Sequence, residues 1–175
     1  MANQGDDDRP LVLTLCTGNA ARSVMAGAML EAGGRDVRVL TAGTHVVENQ
    51  PMSRRTRDAL AGLGLEAPTH RSRQLSDSDL DAAALVVAMA GEHVRFVRRR
   101  HPRAADRTAT LPWLVRYLPD GPGDLATRVR SLGLAELDPD VQGDVDDPAG
   151  GEDDVYVACA ARLVDLVAAL APRLH

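Results

Sequence analysis

The sequence predicts an α/β fold: one doubly wound domain with a four-stranded parallel sheet and helices on both faces. Three observations point to it. Short apolar runs (Leu11–Leu15, Val37–Leu40, Ala84–Met89, Thr108–Leu111) alternate with longer segments of helical character. Strands separated by helices pair in parallel, because each helix returns the chain to the same sheet edge. The first run ends in a glycine-containing turn, Cys16-Thr17-Gly18-Asn19-Ala20-Ala21, directly before a helix-like stretch. And 175 residues of 45% hydrophobic content suffice for one core. The domain is expected over 11–175, behind a disordered tail at 1–10.

In chain order, Leu11–Leu15 reads as a buried strand. Arg22 to Ala32 is rich in Ala, Met and Leu and reads as a helix stopped by Gly33-Gly34. Val37–Leu40 is a short second strand. Pro51-Met52-Ser53 caps a helix running to about Leu63. Ser76 and Asp79 have capping-box spacing for a helical turn ending at Ala82. Ala84–Met89 is the third strand, and Glu92 to Arg100 a helix whose Arg98-Arg99-Arg100 end suits a solvated C-terminus. Thr108–Leu111 is the fourth strand. The next segment, 112–143, is broken by prolines and glycines; Leu125–Leu137 reads there as one helix. Asp153 to Leu170 forms a last helix with Val155, Cys159, Leu163, Leu166 and Leu170 near one face.

Composition narrows the partners. The net charge of −5 argues against nucleic acid, which wants a basic face. No apolar run approaches the roughly 20 residues that span a bilayer, so no membrane partner is expected. Two cysteines and a polar, acidic start without targeting character fit a reducing cytoplasm. All 20 basic residues are arginine, a bias to which no mechanism attaches.

The chemistry concentrates where the first strand meets the first helix. A tight loop at a helix N-terminus converges backbone N–H groups on an anion, and the helix dipole favours negative charge. A cysteine opening such a loop has its thiolate stabilised by the same groups. An arginine closing it offers a planar fork that matches phosphate oxygens. Cys16 and Arg22 hold these positions, with Thr17, Gly18, Asn19, Ala20 and Ala21 between them. The spacing alone is weak, since a small buried cysteine is common and arginines are abundant.

CTGNAARS resembles the phosphate-binding loop of the low-molecular-weight protein tyrosine phosphatases, and the resemblance extends over about residues 11 to 171. Thr41-Ala42-Gly43-Thr44 is similar to the family's Ser-Ala-Gly-Thr. His70-Arg71-Ser72-Arg73-Gln74 looks like its histidine loop, Val86-Val87-Ala88-Met89 its third strand, and Asp147-Pro148 its late Asp-Pro. The stretch from Gly143 through Asp147-Pro148-Ala149-Gly150-Gly151 to Tyr156 is similar to the bacterial branch. The resemblance implies Cys16 as nucleophile and Arg22 with the amides of 17–22 as the phosphate cradle. It implies Asp147 as general acid and base, and Asn19, Ser23, Thr41 and His70 as a polar network shaping the loop. Taken alone, Asp-Pro is an ordinary turn signal and His70 a surface histidine. The implied reaction needs no cofactor or metal, and its substrate is a phosphorylated protein or a small phosphomonoester.

The departures keep three activities open. Ala21 stands where many members carry a second loop cysteine. His45, Val46, Val47, Ala149 and Gly150 fill places where phosphotyrosine-specific members set aromatics. Trp113 and Tyr117 read as core in a chain with 2% aromatics. Ala20 matches neither the isoleucine of the tyrosine branch nor the threonine of the arginine branch. The first reading is a phosphatase of phosphotyrosine or a related phosphomonoester, with a phosphocysteine intermediate. The second is an arginine phosphatase of the same fold. The third is a thiol-dependent arsenate reductase, which an internal relay does not fit because Cys159 is expected in the core of the far helix.

Overall fold

Pairing in the sheet follows the alternation in the sequence. The computed structural model describes residues 8–34 and 37–175. The part of the expected tail up to residue 7 lies outside them. Beyond it, the carbonyls of Arg9 and Pro10 accept hydrogen bonds from Arg38. Strands β1 (Leu11–Cys16), β2 (Arg38–Gly43), β3 (Ala83–Ala88) and β4 (Thr108–Thr110) form one parallel sheet in the order β2-β1-β3-β4. Cys16 stands opposite Gly43, and Leu15 lies between Ala42 and Ala88. The loops leaving β1, β2 and β3 therefore open side by side at the carboxyl edge, where doubly wound sheets bind ligands.

Alternating side chains build two cores. Val12, Leu85 and Val87 face helices α1 (Arg22–Ala32), α5 (Leu111–Tyr117) and α7 (Asp153–Leu170). Leu13, Leu15 and Val86 face Leu75, Leu80, Val97 and Ala104 on the opposite side. Gly27 lets α1 settle on the sheet: a Cβ there would lie 2.5 Å from Thr41 Cγ2. Helix α2 (Arg54–Ala61) is capped by Ser53, which accepts from the amide of Thr56. The Ser76–Asp79 capping box is present on α3 (Asp77–Ala82). Helix α4 (Gly91–Arg100) ends with exposed Arg99 and Arg100. Arg98 is instead half-buried and donates to the carbonyl of Leu134 at 2.7 Å.

Several expectations change. Leu125–Leu137 is not one helix. Helix α6 (Leu125–Arg130) stops, Gly133 turns left-handed with φ 63°, and a 3₁₀ turn follows at Leu134–Glu136. Leu111 leaves the fourth strand to start α5, because Thr110 caps that helix by accepting from the amide of Trp113. Tyr117 is 54% exposed rather than core, its ring tilted against that of half-buried Trp113 with centroids 4.8 Å apart. Val155 is 41% exposed, and Tyr156, Ala160 and Val167 join the buried face in its place. The run Asp153–Arg173 is, by length and composition, long and apolar enough to cross a membrane, which the sequence reading missed. In the fold, α7 lies against α1, α2 and α5.

Candidate active site

The loop of 17–21 joins the carboxyl end of β1 to α1, and Cys16 is buried at its start. Asn19 supplies the reversal with φ 52°, a left-handed conformation that asparagine tolerates better than most side chains. Helix α1 starts at Arg22 with no side-chain cap. Its first N–H groups are therefore not taken by a capping oxygen, as an anion site requires. The loop is pressed against β2: a Cβ on Gly43 would lie 2.5 Å from the Thr17 carbonyl oxygen and 2.9 Å from the Asn19 nitrogen.

All four residues expected to support the loop converge on it. Cys16 Sγ lies 3.0 Å from Ser23 Oγ. Asn19 Nδ2 donates to Ser23 Oγ and to Thr41 Oγ1, each at 3.0 Å. Asn19 Oδ1 accepts from the amide of Arg73 at 3.0 Å, and His70 Nε2 donates to the Asn19 carbonyl at 2.9 Å. Burial holds the His70 ring below its ordinary value, against the opposing pull of that carbonyl, so neutral imidazole is favoured. Thr56 adds a tie that the sequence did not suggest: its hydroxyl donates to the Ala20 carbonyl at 2.8 Å.

Arg22 and Asp147 meet across the mouth. Arg22 is 3% exposed; its Nη1 donates to the Val145 carbonyl and its Nη2 to Asp147 Oδ2, both at 2.9 Å. The Asp147 side chain is 48% exposed, so one flank stays open to solvent. Its Oδ1 also accepts from the amide of Ala149 at 3.0 Å. The turn role and the site role of Asp147 are thus compatible in one side chain. The segment carrying it is tied to the turn after β3, where the Val145 amide donates to the Met89 carbonyl at 2.7 Å.

Two further residues border the site. His93 on α4 is buried, and its Nε2 lies 2.9 Å from Thr17 Oγ1. Nothing in the sequence pattern marked it. Its place could have done so, since β3 neighbours β1 and the first turn after β3 must open beside the loop after β1. Cys159, expected on a far helix, sits beneath the acid-bearing segment, with Sγ 3.8 Å from the Asp146 carbonyl. Burial pushes its thiol up to about 11, so its thiolate is scarce at neutral pH. Among the described residues, no group of three or more His, Cys, Asp or Glu side chains is placed to hold a metal ion. The arrangement offers a buried sulfur at a capless helix start, a buried guanidinium, and a half-exposed carboxylate bonded to that guanidinium.

The sequence model of the low molecular weight phosphotyrosine protein phosphatases matches residues 11–124. The chain belongs to that family. It is a hydrolase fold of the low molecular weight phosphatase kind. The chain is 34% identical to a protein-arginine-phosphatase of Geobacillus stearothermophilus over 165 residues, covering 94% of this chain and 95% of the relative. It is 33% identical to a low molecular weight protein-tyrosine-phosphatase of Streptomyces coelicolor over 162 residues, covering 85% and 83%. A solved YwlE arginine phosphatase mutant with a phosphorylated active-site serine superposes with TM-score 0.76 at 27% identity, covering 94% of this chain and 95% of that one.

Proposed function

We propose that this low molecular weight phosphatase hydrolyses phosphotyrosine or a related phosphomonoester through a phosphocysteine. The observation that carries the reading is the convergence of Cys16, Arg22 and Asp147 on one loop, with Arg22 bonded to Asp147 at 2.9 Å. The thiolate of Cys16 attacks phosphorus; the S–P bond forms as the bond to the leaving oxygen breaks. Arg22 and the backbone amides of Thr17, Gly18, Asn19, Ala20, Ala21 and Arg22 hold the three equatorial oxygens. Asp147 gives its proton to the leaving oxygen, then takes one from the water that breaks the S–P bond. Ser23 holds the sulfur, while Asn19, Thr41 and His70 fix the loop's shape.

A second reading within the family is phosphoarginine hydrolysis, in which a P–N bond breaks and Asp147 protonates nitrogen. Near-full-length similarity to a protein-arginine-phosphatase supports it. So does the place of the aromatic walls, filled here by His45, Val46, Val47, Ala149 and Gly150. An aryl phosphate loses stacking of ~0.5–1.5 kcal/mol per missing pair. Arsenate reduction by an internal relay is disfavoured by the raised value of the Cys159 thiol. Two free cysteines suit a reducing, cytoplasmic setting.

The test is steady-state turnover of para-nitrophenyl phosphate, a phosphotyrosine peptide and a phosphoarginine peptide by reduced protein, with Cys16→Ser alongside. Cys16→Ser is expected to lose turnover on all three while still binding inorganic phosphate. Turnover unchanged in Cys16→Ser overturns the mechanism. The ratio of kcat/KM on the two peptides assigns the branch.

A further inference from the structure

The turn after β3 carries a buried histidine that the proposed mechanism does not use. His93 is 1% exposed, and its Nε2 meets the hydroxyl of Thr17, the first residue of the phosphate loop, at 2.9 Å. Its Nδ1 is buried without a hydrogen-bond partner. An apolar side chain would fill this space without stranding a polar atom, so the imidazole is costly unless its contact with Thr17 matters. The charged and titratable groups facing the ring are Arg22, Asp147, Asp144, His45 and Glu92, whose Oε1 lies 3.6 Å from Nε2. Burial first, then Arg22, pushes the ring down to about 4, which keeps it neutral at physiological pH.

The same turn also reaches the other half of the site. The amide of Gly91 donates to Asp144 Oδ1 at 2.8 Å, and the carbonyl of Met89 accepts from Val145 at 2.7 Å. Gly91 is close-packed: a Cβ there would lie 2.7 Å from the Pro139 carbonyl oxygen. One rigid turn thus touches Thr17 on one side and the approach to Asp147 on the other. An error of about 1 Å in the placing of reacting groups is enough to cost ~100-fold in rate.

We propose that His93 is a positioning residue, whose imidazole fixes the Thr17 hydroxyl and so holds the phosphate loop in register with the segment bearing Asp147. This rests on the oxyanion-binding reading of the loop. It gives α4 a part in catalysis with no contact to the substrate.

The experiment compares Thr17→Val, His93→Leu, His93→Gln and the Thr17→Val/His93→Leu double variant. It measures kcat and KM on para-nitrophenyl phosphate, and the affinity for inorganic phosphate by calorimetry. Thr17→Val and His93→Leu are each expected to lower kcat by about ten-fold and to weaken phosphate binding. The double variant should lose no more than the worse single one, because both remove the same contact. His93→Gln, whose amide can reach the hydroxyl, should recover most of the loss. Losses that multiply in the double variant overturn the proposal. So does Thr17→Val with wild-type kcat and phosphate affinity, a test that stands even if His93→Leu does not fold. A wild-type protein that binds phosphate with this coupling but shows no turnover refutes the phosphatase reading and leaves the positioning role standing. A wild-type protein that binds no phosphate refutes both.

Discussion

The two halves of the site are built in opposite ways. In the loop half, Cys16, Asn19, Arg22 and Ser23 are all buried, and side chains from β2, α2, α4 and the His70 loop hold the turn. In the acid half, Asp147 is half exposed, and the flanking Glu152 and Asp153 are tied to Arg55 and Arg54 by exposed ion pairs. Exposed pairs of that kind contribute little and are screened by salt. The difference follows from what each half meets. The oxyanion has one shape, so donors fixed beforehand stabilise it best. In the proposed mechanism the leaving group varies in size and must come and go past Asp147, which a buried acid would not allow.

Asp147→Asn tests the open half and carries the largest expected effect in this comparison. Loss of a general acid lowers kcat by roughly 10²–10⁴-fold. The loss should grow across a series of aryl phosphates as the leaving phenol becomes more basic. An equal loss along the series would reduce Asp147 to a turn residue.

Gly43→Ala tests the closed half. The added methyl must displace the Thr17 carbonyl or the Asn19 amide, since it would lie 2.5 and 2.9 Å from them. Overpacking of this sort costs ~1–3 kcal/mol. Urea unfolding should show the loss, and phosphate affinity should fall with it. A variant of wild-type stability and affinity would mean that the loop is less tightly set than its packing indicates.

The smallest effect is in pH. His93 in the folded state sits at about 4, below its ordinary value of 6.5, and His70 is lowered in the same sense. A histidine depressed on folding contributes stability that is complete above the unfolded value and lost as pH falls toward the folded one. The urea midpoint should therefore decline from about pH 6.5 to about pH 4, and less steeply in His93→Gln. An unaltered slope in that variant would assign the decline to His70 and the carboxylates.

The loop half was also the more legible in sequence. Strand, turn and helix are contiguous there, so Cys16 and Arg22 could be read from one stretch, and the supporting roles of Asn19 and Ser23 within it came with the family resemblance. Thr41 and His70 came only with the family resemblance, because distance along the chain hides their meeting at Asn19. His93 and Thr56 escaped for the same reason, with no motif to flag them. The 112–143 stretch resisted because its buried Leu114, Leu118, Leu125, Val129 and Leu134 are split among short elements by prolines and glycines, and arginines tie the turns between them. Buried Arg128 gathers the carbonyls of Pro119, Gly123 and Arg173, and Arg98 takes that of Leu134. Capture of carbonyls by a distant guanidinium leaves no trace in hydrophobic spacing.

The contact between Arg22 and Asp147 bears on which solutes the protein ignores. One N–H of each terminal nitrogen is engaged, by the Val145 carbonyl and by Asp147, so an arriving anion meets a carboxylate already in place. Chloride or acetate, with one charge and few acceptor atoms, gains little over that carboxylate. A tetrahedral dianion brings more charge and more oxygens, and can occupy the helix start as well. Charge and acceptor count together favour such a dianion over a monovalent anion at this guanidinium.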